Sequence, residues 1–189
     1  MIIYLHGFRS SPASSKAQDL HARLTELGRG DAFWCEALSH EPARAIAQAE
    51  AAIAASPVRP TLVGSSLGGF YATWLAEKHD LRAVLINPAV FPEGFDATPF
   101  VGTHSNLYTG EVFEFTWAHV AQIDALRLPR IAHPERFWLL AEEADEVLDT
   151  RVSVARFAGA RQTVLPGGDH SFTRWHDYID AIIDFASAP

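Results

Sequence analysis

The sequence predicts a three-layer α/β protein, a mostly parallel sheet of about six strands with helices on both faces. Three observations carry this. Short apolar runs alternate with stretches of helical spacing along the chain, as strands joined by crossover helices require. With 189 residues, 48% of them hydrophobic, the chain suits one domain with a sizeable core. The stretch "TLVGSSLGGFYATWLAEKHD" (61–80) passes from an apolar strand into a helix through two serines and three glycines.

The elements follow in order. "IIYL" (2–5) is a strand. Ser15 and Gln18 have capping-box spacing, and Leu20, Leu24 and Leu27 recur at helical spacing until Gly28. "AFWCEAL" (32–38) reads as the next strand, and 42–55 as an alanine-rich helix closed by Ser56-Pro57. "TLVG" (61–64) is a strand and 67–79 a helix. "RAVLIN" (82–87) is a strand that stops at Pro88, and "RFWLLA" (136–141) is another, followed by a helix over about 149–158. "RQTVLP" (161–166) is the last strand. Trp175, Tyr178, Ile179, Ile182, Ile183 and Ala186 mark one face of a terminal helix.

One segment breaks the rhythm. Residues 89–135 contain no clear strand, yet carry Phe91, Phe95, Phe100, Tyr108, Phe113, Phe115 and Trp117. So long an excursion inside a compact domain is usually functional. It reads as a cap-like insertion in a single domain spanning 1–189, with some of its aromatics lining an apolar pocket. Phe113 and Trp117 are candidates for the pocket floor, and Tyr108-Thr109-Gly110 for its mouth. A helical insertion packed on the sheet edge is the alternative.

Composition narrows the function classes. A net charge of −8 without a Lys/Arg cluster disfavours nucleic acid as a partner. No apolar run reaches the ~18 residues that span a bilayer. "MIIYLHG" lacks the basic and long apolar segments of a signal peptide, so a cytoplasmic protein is expected. Cys35, the single cysteine, excludes an internal disulfide and reads as a buried small hydrophobe rather than a reactive thiol.

"GSSLG" is G-x-S-x-G centred on Ser66. A nucleophile at the tip of a strand-to-helix turn needs a strained backbone, and the residues two before and two after it come too close for side chains. Gly64 and Gly68 meet that demand, which selects Ser66 over Ser65. The turn also sets Ser66 at a helix N-terminus, where the peptide dipoles favour negative charge. A serine hydroxyl needs a base, and in this architecture the partners follow in the order serine, acid, histidine. His170 in "PGGDHSF" lies on a glycine-rich loop after the last strand, at the sheet end where open α/β folds place their sites. His79 and His176, at or within helices, are expected to be solvated. The acid should follow the penultimate strand, where "LLAEEADEVLD" offers Glu142, Glu143, Asp145, Glu146 and Asp149. Asp145 is favoured because it lies in the loop and Val147-Leu148 can anchor the chain beyond it; Glu143 is the runner-up. The oxyanion hole should use the N–H groups of Leu67 and, from "YLHGFRSS", Phe8, with Gly7 letting that loop approach and His6 buttressing it. No H-E-x-x-H or Cys/His cluster calls for a metal, and no cofactor is expected.

The stretches "YLHGFRSSPASSKA", "LVGSSLGGFYATWLA", "NPAV", "YTGE", "DEVLD" and "RQTVLPGGDHSFT" together resemble the small bacterial esterases of the YqiA type, in the α/β-hydrolase superfamily. The resemblance runs from Tyr4 to Thr173. It implies the α/β-hydrolase fold with a trimmed sheet of mostly parallel strands. It also implies a serine esterase acting on small carboxylic esters, with acyl-CoA thioesters as further candidates. Carried over by position, it places the nucleophile on Ser66, the acid on Asp145 and the histidine on His170. Ala144 departs from the glycine that the family tends to have before the acid. Two rival readings are another acyl substrate, a lactone or peptide, and a non-catalytic binding protein with this fold.

Overall fold

The computed structural model describes residues 1–187. In chain order the elements are β1 (Ile2–Leu5), α1 (Ser15–Glu26), β2 (Phe33–Trp34), α2 (Pro42–Ala55), β3 (Thr61–Ser65), α3 (Leu67–His79), β4 (Arg82–Ile86), β5 (Gly102–Ser105), β6 (Val112–Phe115), α4 (Trp117–Ala125), β7 (Phe137–Glu142), α5 (Thr150–Arg156), β8 (Arg161–Leu165) and α6 (Trp175–Ser187). Six strands form one all-parallel sheet in the order β2-β1-β3-β4-β7-β8. Strand parity divides the core. Ile2, Tyr4, Val63, Val84, Ile86, Trp138 and Leu140 join the cluster that contains α1 and α6 residues; Ile3, Leu5, Leu62, Ala83, Leu85, Phe137 and Leu139 join the one that contains α2 and α3 residues. Because both faces are covered, β1, β3 and β7 are buried at every position, which is why they read as continuous apolar runs. Among the described residues, no helix is long and apolar enough to cross a membrane.

Three local expectations need correction. The second strand shrinks from 32–38 to Phe33–Trp34, at a sheet edge paired only with β1. Beyond it, side chains hold the backbone: Leu38 N–H donates to His6 Nε2 at 3.0 Å and Ser39 N–H to Gln48 Oε1 at 2.8 Å. Cys35 is half-buried there, and burial pushes its thiol up to about 12, against a reactive role. Ser15 and Gln18 form no capping box: Ser14 is the N-cap and Gln18 Nε2 donates to the Pro12 carbonyl. Residues 89–135 do contain strands. β5 and β6 pair as an antiparallel hairpin, Gly102 opposite Phe115 and Ser105 opposite Val112, ahead of α4.

Candidate active site

The site is built from the carboxyl ends of β1, β3, β4, β7 and β8. At the end of β3, Ser66 adopts φ 54° and ψ −120°, a conformation L-residues avoid and that costs roughly 1–3 kcal/mol. Its hydrogen bonds hold it there: the Ser66 N–H donates to the Ile86 carbonyl at 3.0 Å, and its own carbonyl accepts from Gly69 and Ala89, both at 2.9 Å. A side chain at Gly64 would overlap the Gly68 carbonyl, and one at Gly68 would overlap the Leu5 carbonyl. The turn can close in this form only with glycine at both places.

The structure brings the three predicted residues together. His170 Nε2 lies 3.0 Å from Ser66 Oγ, and His170 Nδ1 lies 2.8 Å from Asp145 Oδ2 and 3.0 Å from Oδ1. Asp145 has a side chain only 2% exposed. Its Oδ1 also accepts the N–H groups of Val147 and Leu148, both at 2.9 Å. Burial pushes its carboxyl up, but the His170 hydrogen bond and the Leu148 and Val147 N–H groups outweigh this and hold it below the usual aspartate range. The anchor beyond the acid is Leu148, packed on the core, while Val147 is exposed. The runner-up Glu143 is exposed, and its side chain has no hydrogen bond to His170. Asp149 instead caps α5 through the Arg151 N–H at 3.0 Å. Ala144 has no left-handed backbone, so this acid loop forms without glycine there.

The loop after β1 approaches as expected. A Cβ on Gly7 would lie 3.2 Å from Ser66 Cβ, so glycine lets the two turns meet. His6 is buried and buttresses this loop: Nε2 accepts the Leu38 N–H, leaving Nδ1 to donate to the Gly7 carbonyl at 3.0 Å. Burial lowers its pKa, which suits a neutral ring. Leu67 is the first residue of α3, where backbone N–H groups lack helical partners. Among the described residues, the N–H groups of Phe8 and Leu67 have no acceptor. The Phe8 ring is boxed by Phe100, His104, Phe113 and Phe115, with centroids 5.0–6.5 Å away. Of the other histidines, His176 is exposed, but His79 is not merely solvated: it lies 2.8 Å from Glu50.

Phe8 and Leu67 separate two recesses. The smaller, about 80 Å³, is apolar and reaches Ser66; Ala89, Phe91, Phe95, Phe100, Phe115 and Ile123 line it. The larger, about 720 Å³, is a cleft of mixed polarity with Arg9, Leu38, His40, Arg44, Glu111 and Phe113 on its walls. This corrects two expectations. Phe113 belongs to the larger cleft and Trp117 is 56% exposed, so neither floors the apolar recess. The Tyr108-Thr109-Gly110 turn docks on the β1 loop, through the Leu107 N–H to the Arg9 carbonyl (2.8 Å) and Asn106 Nδ2 to the Ser10 carbonyl (2.8 Å), beside the cleft.

Asn87 has no counterpart in the sequence expectations: its Nδ2 donates to the carbonyls of Asp169 (3.0 Å) and His170 (3.2 Å). Glu146, expected only as a candidate acid, accepts the His170 N–H through Oε2 at 3.0 Å. Glu142, weighed only as an acid for the histidine, is fully buried under the same loop.

A family model matches residues 1–187: UPF0227, described as an uncharacterised protein family. The chain belongs to this family. It is the YqiA-like family that the motifs resemble. A UPF0227 protein of Pectobacterium carotovorum subsp. carotovorum (strain PC1) is 33% identical over 95 residues, 49% of this chain and 53% of the relative, so the match spans about half of that protein. Among solved structures, mouse alpha/beta hydrolase domain-containing protein 10 aligns with TM-score 0.72 at 19% identity, over 97% of this chain and 88% of its own. A monoacylglycerol lipase from Paleococcus ferrophilus aligns with TM-score 0.69 at 15% identity, over 98% and 93%. At these identities the likeness establishes the fold: this UPF0227 chain has the α/β-hydrolase fold.

Proposed function

We propose that this protein is a serine hydrolase of small carboxylic esters, with Ser66 as nucleophile, His170 as general base and Asp145 as its orienting acid. The observation that carries the reading is the continuous contact from Ser66 Oγ through the His170 ring to Asp145, starting from a strained turn. Asp145 fixes the tautomer with hydrogen on Nδ1, leaving the Nε2 lone pair for the serine proton. Ser66 Oγ attacks the ester carbonyl as His170 takes that proton. The Phe8 and Leu67 N–H groups receive the oxyanion; one such donor typically lowers the barrier by ~3–4 kcal/mol. The alcohol leaves with a proton from His170, and water activated by the same ring releases the acid from the acyl-enzyme. The same steps serve a thioester or lactone, and the relatives named hydrolase and lipase share the fold on which this chemistry is commonly built. An active-site phosphonate should label the enzyme, with the adduct on the peptide holding Ser66 by mass spectrometry. An adduct on Ser65, or none on protein that hydrolyses esters, overturns the assignment.

The apolar recess beside Ser66 suits the acyl chain, with the 89–135 segment acting as its cap. Each methylene buried there gains roughly 0.8 kcal/mol, about fourfold in kcat/KM. In a recess this small the gain should stop at short acyl chains. Phe95→Ala is expected to move the optimum to longer chains, while Trp117→Ala leaves it in place. Profiles over a series of p-nitrophenyl esters check this; an optimum unmoved by Phe95→Ala, Phe91→Ala and Phe115→Ala would mean that the segment does not select the acyl group.

A further inference from the structure

The geometry points to Glu142 as a positioning residue for His170: its buried carboxylate, with the Asn87 amide, fixes the 169–174 loop that carries the imidazole. This rests on the ester-hydrolase reading. Glu142 ends β7, three residues before Asp145, with 0% exposure. A buried carboxylate is costly unless charge and hydrogen bonds compensate it. Here the partners come from that one loop. Oε2 accepts the N–H groups of Asp169 and Thr173, both at 2.9 Å. Oε1 takes the Thr173 hydroxyl (2.9 Å), the Arg174 N–H (3.3 Å) and Arg174 Nε (3.2 Å). Burial pushes the Glu142 carboxyl up, but these donors outweigh it and hold the group ionised below the usual glutamate range.

Asn87 closes the clamp. Its Oδ1 accepts the Glu142 N–H at 3.0 Å while Nδ2 holds the Asp169 and His170 carbonyls, and it does so from a left-handed backbone, φ 39°. Asp169 is therefore gripped at its N–H by Glu142 and at its carbonyl by Asn87, and His170 follows it directly. Were Glu142 only a fold anchor, its loss would cost stability alone. If it sets the ring, its loss lets Nε2 drift from Ser66 Oγ, and a misplacement near 1 Å costs on the order of 100-fold.

The test uses Glu142→Gln and Asn87→Gly. The glutamine amide offers one oxygen where two groups of donors need acceptors; glycine keeps the left-handed backbone and deletes the clamp. In each, kcat per phosphonate-titrated site should fall by roughly 10- to 100-fold with KM unchanged, and the rate of phosphonate labelling should fall in parallel. Wild-type kcat per titrated site in both variants, with only a lowered melting temperature, overturns the proposal. If Glu142→Gln fails to fold, Asn87→Gly decides alone: reduced kcat supports the clamp and wild-type kcat refutes it. Failure of the underlying reading is seen separately, as wild-type protein that hydrolyses esters yet resists the phosphonate.

Discussion

Ser66→Ala is expected to lower ester turnover by about 10⁶-fold, to the level of traces that any contaminating hydrolase would supply. The change removes only Oγ, whose partner is His170 Nε2. The backbone at φ 54° stays as strained for alanine as for serine, and the bonds that hold it, from the Ser66 N–H to Ile86 and from Gly69 and Ala89 to its carbonyl, involve no side chain. The melting temperature should therefore stay near that of wild type while turnover and phosphonate labelling vanish together. Ser65 is the control. It is buried as the last residue of β3 and makes no hydrogen bond with His170 or Asp145, so Ser65→Ala should keep turnover within an order of magnitude. Turnover that survives Ser66→Ala in protein purified to constant specific activity would remove Ser66 from the chemistry.

Much of the fold was legible because its signals are local. Each central strand is buried on both faces and so spells a short apolar run, and α1, α2 and α6 carry their own periodicity. What failed depends on tertiary partners. "AFWCEAL" has strand composition, but only two of its residues find a neighbour in the sheet; at its end the Leu38 N–H is captured by His6 and the Ala37 carbonyl by Gln48 Nε2. "GTHS" has too little apolar content to suggest a strand, and becomes one only opposite "VFEF", across a turn whose Tyr108 and Thr109 N–H groups are capped by Asn106. The site divides the same way. Ser66 and His170 stand on glycine spacing and loop position, both local. Asp145 is favoured among five acids within eleven residues by its loop position and by the resemblance, but that Glu142 grips the histidine's loop is visible only in three dimensions. Asn87 reaches carbonyls 82 and 83 positions away, which no local pattern records.

Asp145→Asn should cost about 10⁴ in kcat, close to 5 kcal/mol of barrier, although it changes one atom. The reason lies in the carboxylate's other bonds. Oδ1 accepts the Val147 and Leu148 N–H groups, so an asparagine must place its oxygen there and its NH₂ where Oδ2 now faces His170 Nδ1. Two donors cannot face each other. The ring must turn its Nδ1 lone pair toward the amide and carry hydrogen on Nε2, where it donates to Ser66 and can no longer take its proton. The loop geometry survives, so the variant should bind substrate with wild-type KM. The wild-type pH profile tests the same assignment from the other side. Because the Asp145 carboxyl is held below its ordinary value of 3.8, it remains charged as the pH falls through that value, and its contribution is lost only further down. The acid limb of kcat/KM should thus carry no contribution from this carboxyl above its ordinary value. A two-proton slope above pH 4 (about the ordinary aspartate value), or an Asp145→Asn enzyme within tenfold of wild type, would mean that another group orients His170.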